Sequence, residues 1–572
     1  MDKRLLWNGV MFACCLVLAL MHGLLLYGAS SGRDDVYITY WAAYALSHFG
    51  SIVNYNGEPL EQSSSLLHVL LLALLKRLVD IPLPTLGPLF SSIIGGLTLL
   101  ATWRLAVFLA IPSAGFVALF CALFPYLVYW SFSGLETSLV ALIVLGLMYT
   151  VSQFLTQKLS IGLFFLTVFI ILAYLLVRPE AVFMTLSFII LMGFFLSISA
   201  RSFKNAYVSK LSLLFVITVL LFIVLSAWRY YAWGQIFPQP VYAKTDTGQL
   251  NNIFFGIQYL VDHFWLPSLG LLMVLSVLSW RNVSNYAYQA PKRIAFITLF
   301  SWVLVTLMFT VAVGGDWMEG GRFLVPIIPL LLLLGLFDIP LAQQHRKILL
   351  VALAFMATLD TARFVREYSI GIPFLLAEPV YKPVFEDLNI AETQFSWFEK
   401  ANHEHLRDIP LVFILEPLVS RLLAVEPKPM VIASGQMGMV AFYLAQKHFA
   451  ALEFIDMKGL TTTHFLRCPL THSLSTSRFG LQLSYAELFE NAYTQCIAKR
   501  PALIYDLGGT RRTKMIARYG YQVVYAQIGI ILTGDDWTRK KVWAGQYVAI
   551  RQDLVNKIKL PQPKHYRWPE VR

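Results

Sequence analysis

Long apolar runs separated by short polar loops fill the chain up to residue 365. A run of roughly 17–25 apolar residues is long enough to cross a bilayer as an α-helix. The pattern therefore predicts a polytopic α-helical membrane protein, mainly α in class, with about eleven spanning helices. The predicted spans are Leu5–Tyr27, Gly87–Trp103, Ala114–Trp130, Leu139–Leu155, Ile161–Val177, Ala181–Ser199, Leu211–Trp228, Phe264–Leu278, Ile294–Val313, Phe323–Leu336 and Ile348–Arg363.

One apolar run, Ser65–Leu75, is too short to span and ends in Lys76 and Arg77. We interpret it as a helix that lies on the outer surface of the membrane or dips into it. If it spans instead, every later loop changes side. The first run follows Lys3 and Arg4 as a secretory signal would, but its length favours an uncleaved anchor.

The pattern changes after residue 365, where charged residues become as frequent as in soluble proteins. Met430–Ser434 predicts a strand, Gly435–Gly438 a tight turn and Met439–Lys447 a helix, with a second strand at Phe454–Asp456. The turn lacks the three-glycine spacing of a dinucleotide site. We therefore predict two domains, a membrane body of residues 1–365 and an α/β domain of residues 366–572. Further strand candidates are Ala502–Tyr505, Gln522–Ala526 and Tyr547–Ile550.

Charged loop residues predict which way the helices cross. Lys and Arg should collect in the cytoplasmic loops, and one set of alternate loops holds Lys3, Arg4, Arg104, Lys158, Arg201, Lys204, Lys210, Arg281, Lys292, Arg293, Arg346 and Lys347. The other set holds Asp34, Asp35, Glu58, Glu61, Glu136, Glu180, Asp246, Asp262, Asp316 and Glu319. An odd number of spans then places the C-terminal domain on the acidic side, which is the periplasm if the membrane is a bacterial inner membrane.

Composition agrees with this reading. Of the 572 residues, 57% are hydrophobic and only 14% are charged, with a mean hydropathy of +0.63, which excludes an ordinary water-soluble protein. The net charge of +12 is spread over both parts of the chain. That spread argues against a nucleic-acid surface and for charges in cytoplasmic loops.

Two of the five cysteines, Cys468 and Cys496, lie in the predicted exported domain. An oxidising compartment permits a disulfide between them, and two unrelated thiols are the alternative. No Cys/His spacing typical of a zinc site occurs in the sequence.

Candidate chemistry begins with Asp34 and Asp35, directly after the first predicted span. Adjacent carboxylates can act as a general base, hold a divalent metal, or do both. The alternative is that one of them caps the amphipathic helix predicted over Val36–Phe49. The two interpretations are compatible.

Further acids stand in the other outer loops. Glu58 follows in the turn-rich stretch Asn54–Ser64, and Glu136 stands in the very short loop Phe132–Thr137. Arg178 and Glu180 flank Pro179 at the outer end of two predicted helices. They either belong to a site or only neutralise each other at the interface.

Two loops combine cations with other site-forming residues. The loop from Trp228 to Lys244, which includes Tyr242, is either an interfacial aromatic belt or a clamp for a lipid-linked anion. The glycine-rich loop around Asp316 and Arg322 allows close backbone approach to a ligand, and its arginine could contact phosphate. It is not a phosphate-binding P-loop, which needs Lys followed by Ser or Thr.

The order of these motifs resembles the polytopic GT-C glycosyltransferases. The motifs are Asp34-Asp-Val-Tyr-Ile38, Asn56-Gly-Glu-Pro-Leu-Glu61, Gly134-Leu-Glu-Thr137, Arg178-Pro-Glu180, Pro240-Val-Tyr-Ala-Lys244 and Gly314-Gly-Asp-Trp-Met318 before Gly321-Arg-Phe323. Within that superfamily the chain is most similar to bacterial enzymes related to the mycobacterial terminal arabinofuranosyltransferase and to membrane glycosyltransferases of Gram-negative bacteria. The resemblance covers residues 1–365, and Gln62-Ser-Ser64 departs from it.

The resemblance implies an inverting transfer outside the cytoplasmic membrane. A sugar, for instance a pentose such as arabinofuranose, would leave a polyprenyl-phosphate donor for an envelope glycan, lipopolysaccharide or protein. Asp34 or Asp35 would be the catalytic base or a ligand of a divalent metal. The donor phosphate would contact Lys244, Arg322 and Arg178, and the sugar or acceptor would contact Glu136, Glu180, Asp316, Tyr242 and Glu58.

A transporter or flippase of lipid-linked sugars is the main alternative, and an inactive relative that serves as an assembly platform is another. A transporter predicts charges deep within helices and polar loops on both faces. Here the acids gather on one face and the spans are nearly uncharged, which favours the enzyme. The sugar, the acceptor and the need for a metal stay open.

Overall fold

The computed structural model describes residues 12–23, 34–111, 114–157, 160–199, 205–244, 249–285, 290–316, 318, 320–337, 343–368, 412, 415–462, 476–477, 480–481, 500–508, 516–533 and 540–558. The protein is mainly helical, as predicted. The helices of the body are α1 (Phe12–Gly23), α2 (Val36–Phe49), α3 (Leu66–Leu78), α4 (Leu83–Phe108), α5 (Ala114–Leu123), α6 (Pro125–Ser131), α7 (Thr137–Thr156), α8 (Ile161–Val177), α9 (Ala181–Ser199), α10 (Asn205–Trp233), α11 (Gln239–Lys244), α12 (Gln249–Phe264), α13 (Pro267–Asn285), α14 (Ala290–Val313), a 3-10 turn (Val325–Ile327), α15 (Ile328–Gly335) and α16 (Gln343–Tyr368).

The protein is a multi-pass membrane protein. Among the described residues, α4, α7, α9, α10 and α14 are each long and apolar enough to cross a membrane. Two bent pairs, α5 with α6 and α12 with α13, raise the number to seven if each pair is one span. Helices α1, α8 and α15 are apolar but shorter, so the count of eleven spans stays a prediction.

The run predicted as one span over Ala114–Trp130 is broken, with a bend of 67° between α5 and α6. Pro125 opens α6, and proline supplies no N–H to carry the helix onward. The carbonyls freed at the break need partners in an apolar body. His22 of α1 donates from Nδ1 to the Ala122 carbonyl at 3.1 Å, and the Thr361 hydroxyl of α16 lies 3.2 Å from the Leu123 carbonyl.

Helix α7 lies at the centre of the body, packed against α4, α8 and α14. Residues 157–160 join α7 directly to α8, so the two helices run antiparallel. The start of α7 and the end of α8 therefore lie at one end of the bundle. This geometry brings Glu136, which precedes α7, next to Arg178, which follows α8.

The predicted helix Val36–Phe49 is present as α2, but it is more buried than an amphipathic surface helix. Residues 36–43 are all buried, because the body covers one face and the C-terminal domain covers the other. Tyr40 packs into the body, where its ring fills the space beside Gly87 and Gly134. Tyr37 contacts Phe442 at 5.4 Å and Trp41 contacts Phe449 at 5.8 Å between ring centroids.

The C-terminal domain is α/β, as predicted; β1 has the predicted limits, β5 begins one residue later and ends later, and the other three predicted strands are longer. Its sheet has the order β2-β1-β5-β7-β6, in which β1 runs parallel to β2 and β5 while β7 is antiparallel to β5 and β6. Strands β3 and β4 form a separate antiparallel pair. The elements are α17 (residues 415–422), β1 (Met430–Ser434), α18 (Met439–His448), β2 (Leu452–Asp456), β3 (Thr476–Ser477), β4 (Gly480–Leu481), β5 (Leu503–Gly508), β6 (Tyr521–Thr533), β7 (Lys540–Arg551) and α19 (Gln552–Lys557).

The domain docks on the body through polar contacts as well as rings. Asn56 makes a reciprocal pair with the backbone of Phe454, donating from Nδ2 at 3.0 Å and accepting at Oδ1 at 2.7 Å. Gln239 at the start of α11 donates to the Gly459 carbonyl at 2.8 Å. We define the end of the body that carries these contacts as the tail face.

Cysteines within the body are free thiols: Cys14 is exposed, whereas Cys15 and Cys121 are buried. Cys468 and Cys496, the predicted disulfide, lie outside the described residues. The predicted boundary at residue 365 falls inside α16, which continues to Tyr368.

Gly134→Ala is expected to destabilise the protein more than Gly234→Ala. Both glycines have left-handed backbones, with φ of +76° and +70°, so alanine costs about 1–2 kcal/mol of strain at either position. A methyl group at Gly234 meets nothing within 4 Å, whereas one at Gly134 overlaps the Tyr40 hydroxyl, which adds about 1–3 kcal/mol of overpacking. Thermal unfolding in detergent, followed by tryptophan fluorescence, measures the difference. Equal midpoints would show that Tyr40 yields without penalty.

Candidate functional site

Four residues singled out in the sequence line one cavity at the start of α7 and the end of α8. They are Glu136, Arg178, Glu180 and Arg322, which come from three separate predicted loops. Side chains of α8, α9 and α14 and of the loop after α14 complete the wall, chiefly Tyr174, Met184, Trp302, Thr306, Phe309 and Phe323. The cavity is therefore lined by both charged and aromatic side chains.

Arg178 holds the two glutamates of this cavity together. Its Nε donates to Glu180 at 2.6 Å and its Nη1 donates to Glu136 at 2.8 Å. Burial acts against the charge of Arg178, but Glu180 and Glu136 outweigh it and raise the pKa of the guanidinium. Burial would likewise raise the pKa of Glu136, but Arg178, Arg322 and His68 together lower it. The predicted ion pair of Arg178 and Glu180 is thus present, and Glu136 also pairs with the same arginine.

Arg322 forms the second ion pair of the cavity. Its Nε lies 2.7 Å from Oδ2 of Asp316, off the hydrogen-bond axis, and its Nη2 donates to Oδ1 at 3.2 Å. The guanidinium carbons of Arg322 and Arg178 each lie 5.6 Å from the centre of the Phe323 ring, within cation–π range. The two cations therefore share one aromatic support.

The glycines between Asp316 and Arg322 are explained by packing. Gly320 and Gly321 have φ of +76° and +60°, a region that favours glycine. The Trp130 Nε1 donates to the Gly320 carbonyl at 2.6 Å. A methyl group on Gly321 would lie 2.7 Å from the Tyr126 ring and 2.8 Å from the His263 ring. Aromatic side chains of the protein itself thus occupy the space that the sequence suggested for a ligand.

His68 was missed in the sequence. It is fully buried on α3 against Phe90, with 5.7 Å between ring centroids, and neither ring nitrogen has a hydrogen-bond partner among the described residues. Burial lowers the pKa of His68 to about 4, although the nearby Glu136 acts in the opposite direction. His68 is therefore a buried, neutral side chain near Glu136. A lone histidine in an apolar run gives no periodic signal that would have marked it.

Asp34 and Asp35 have different surroundings. The Asp34 carboxylate accepts from the backbone N–H of Gly438 at 3.1 Å and of Met439 at 2.7 Å, at the start of α18. Asp35 occupies the N-cap position of α2, but its side chain makes no capping hydrogen bond. The capping interpretation was therefore wrong for Asp35 on α2. Asp34 caps a helix of the other domain.

Three other predicted site residues lie apart from the described wall of the cavity. Glu58 is exposed and accepts from Asn54 Nδ2 at 2.9 Å within its own turn. The Tyr242 hydroxyl lies 3.3 Å from the backbone N–H groups of Ile236 and Phe237. Lys244 ends α11, and its side chain lies outside the described part of the structure. Their binding roles stay predictions.

A buried ion pair between Glu61 and Arg229 was also missed. Arg229 Nε donates to Oε2 of Glu61 at 2.8 Å and its Nη2 donates to Oε1 at 3.0 Å, with both side chains almost fully buried. Burial raises the pKa of Glu61 to about 7, against the pull of Arg229. The Gln239 N–H donates to the Glu61 carbonyl at 3.0 Å, so this pair secures the loop before α11. A cation inside an apolar run needs a partner, so the sequence could have marked Arg229, although not which acid it pairs with.

Within the described ranges, no three His, Cys, Asp or Glu side chains come together as a metal site. A divalent metal at Asp34 and Asp35 therefore stays a prediction.

Comparisons with known proteins identify the fold. No protein-family model matches the chain, and a search of curated proteins gives no match. Among solved structures, ArnT from Cupriavidus metallidurans in the apo state is similar over 97% of this chain and 99% of its own, with 12% identity and a TM-score of 0.50. The oligosaccharyltransferase AglB from Archaeoglobus fulgidus, in complex with an inhibitory peptide and a dolichol-phosphate, is similar over 88% and 70%, with 11% identity and a TM-score of 0.53. The chain thus shares the membrane fold of ArnT and AglB.

Arg229→Met is expected to lower the free energy of unfolding by about 3–5 kcal/mol, because it leaves Glu61 buried without its cation. The double variant Glu61→Met with Arg229→Met should recover most of that loss, because no buried charge is left. A double-mutant cycle in detergent at a pH above 7, where Glu61 is ionised, measures the coupling. Additive losses would show that the pair contributes nothing beyond its separate side chains.

Proposed function

We propose that the protein is an inverting membrane glycosyltransferase that moves a sugar from a polyprenyl-phosphate donor to an acceptor hydroxyl at the tail face. The observation that carries the proposal is the cavity lined by Arg178, Arg322 and two glutamates, with Asp316 paired to Arg322 beside it. The shared fold supports it, since AglB is an oligosaccharyltransferase found with a dolichol-phosphate and a peptide. In our proposal the membrane is a bacterial inner membrane and the tail face is periplasmic.

The reaction needs a base and a stabilised leaving group. An acceptor oxygen attacks the anomeric carbon, the bond from that carbon to the phosphate oxygen breaks, and the acceptor proton passes to a carboxylate. Asp34 or Asp35 is the proposed base, a role typically worth about 10²–10⁴-fold in rate. The departing group leaves as the polyprenyl phosphate with its additional negative charge.

Arg178 and Arg322 are proposed to receive that charge. A guanidinium has five N–H donors, and the carboxylates of the cavity use only part of them on either arginine. The acids fix the direction of both guanidiniums, so little reorganisation is needed when charge develops on phosphate. Glu136, Glu180 and Asp316 thus orient the cations, and Lys244 is proposed to add a third charge.

The polyprenyl chain has an apolar cavity available. A space of about 450 Å³ lies between α1, α4, α6 and α7 and is lined mainly by aliphatic side chains. Its wall includes Ser138 and Val325, each close in sequence to a residue of the charged cavity. We place the first prenyl units of the donor there. The sugar is proposed to be a pentose such as arabinofuranose, and the acceptor a glycan, lipopolysaccharide or protein of the envelope.

Transfer from a synthetic polyprenyl-phosphate sugar to envelope acceptors tests the function. Wild-type protein should give labelled product, whereas Asp34→Asn or Asp35→Asn should lower kcat by about 10²–10⁴-fold at the base. Arg322→Gln should lower kcat by about 10²–10³-fold, as for a lost transition-state donor. Arg104→Gln is the matched control, because Arg104 is exposed on α4 and should retain full activity.

Two results would contradict the proposal. Movement of donor across vesicles without product would identify a flippase. Full activity in both aspartate variants would remove the base assignment.

Val17→Trp is expected to raise the KM for a long-chain donor with little change for a short-chain one. Val17 of α1 lines the apolar cavity and is 57% exposed, so an indole there would fill space that the prenyl chain needs. Ile161→Trp is the control, because Ile161 is 74% exposed on α8 and is not part of that wall. Equal effects on both donors would place the prenyl chain elsewhere.

A further inference from the structure

The start of α18 is the anion-binding position of the C-terminal domain. Helix α18 follows β1, whose two neighbours are β2 and β5, both parallel to it. The chain therefore changes direction across the sheet beside β1, and ligands of such sheets bind outside the carboxyl ends of the strands at that point. Free N–H groups at a helix N-terminus attract anions there. In this protein the anion is the Asp34 carboxylate.

Position 438 admits no side chain while Asp34 is there. A methyl group on Gly438 would overlap the backbone oxygen, the Cγ and the Oδ1 of Asp34. Glycine is therefore needed at position 438 because a carboxylate of the body approaches its backbone closely.

Other contacts also join the domain to the body. Asn56 pairs with the Phe454 backbone and Gln239 pairs with Gly459, both through neutral groups away from α18. Rings of α2 and α18 add apolar contact. The bonds to Asp34 are thus specific to one acidic side chain that the proposed reaction uses.

We propose that Gly438 is a positioning residue and that the C-terminal domain completes the catalytic site. This inference rests on the proposed function and assigns the base to Asp34. The N–H groups of Gly438 and Met439 donate to different oxygens of the Asp34 carboxylate, so the two contacts together fix its orientation. Asp34 is held in one orientation, whereas the Asp35 side chain makes no hydrogen bond at the start of α2.

Gly438→Ala tests the role in the full-length protein. It should lower kcat by about 100-fold, as for a displaced reacting group, with the donor KM unchanged. The loss should fall on kcat alone, because the displaced carboxylate would act on the acceptor and does not hold the donor. Asn56→Ala is the control: it removes a docking contact that does not touch Asp34 and should retain kcat. Equal losses in both variants would reduce the contact to docking and overturn the inference.

Hydrogen exchange gives a readout independent of activity. Amides in the segment 436–443 should exchange faster in Asp34→Ala and remain protected in Asp35→Ala and in Asp34→Asn, because asparagine also caps helices. Asp34→Asn should nevertheless lose transfer. Unchanged exchange in Asp34→Ala would show that the contact is absent and would overturn the inference by itself. Normal exchange behaviour with no transfer by the wild type would instead overturn the proposed function and, with it, the catalytic role of the contact.

Discussion

The cost of burying charge in an apolar body governs the tail face. An isolated ion there is several kcal/mol less stable than a paired one, and Arg178, Arg322 and Arg229 are each paired with a carboxylate, either within their own loop or from a distant segment. Arg178 joins the ends of α7 and α8, Arg322 closes its own glycine loop, and Glu61 ties the first loop to α10. The site is therefore built by the same pairs that make its charges tolerable. Removing any one charge is at once a change of site and a change of fold.

Local pattern explains how much of this could be predicted. Helices α8 and α9 begin and end at the residues that their apolar runs predict, and β1 is the predicted strand. Arg178 with Glu180 and Asp316 with Arg322 are close in sequence, so their loops pointed to them. Long-range partners gave no such signal: nothing near Asp34 announces Gly438, and nothing near Glu61 announces Arg229. The bend at Pro125 also has tertiary partners, His22 and Thr361, which an apolar run by itself does not indicate.

The turn between β1 and α18 of the C-terminal domain lies where parallel sheets usually bind a ligand, but here it contacts the membrane body. The turn lacks the glycine spacing of nucleotide sites, and the position that a phosphate would take is filled by a side chain of the same protein. The start of α18 therefore binds a side chain of the membrane body at the position where such sheets usually bind a ligand. The reciprocal hydrogen bonds of Asn56 with Phe454 add a second fixed contact between the domain and the body.

The broken helix at Pro125 has a consequence for the order in which the protein is made. The carbonyls at the break contact His22 from the first described helix and Thr361 from the last helix of the body, and these two side chains lie 3.3 Å apart. During synthesis α5 and α6 enter the membrane more than 200 residues before Thr361 exists, since Leu123 precedes it by 238 positions. The nascent chain must carry an incompletely bonded break through most of its insertion. Insertion of the last helix of the body thus completes the hydrogen bonding at the break, because Thr361 then contacts both His22 and the Leu123 carbonyl.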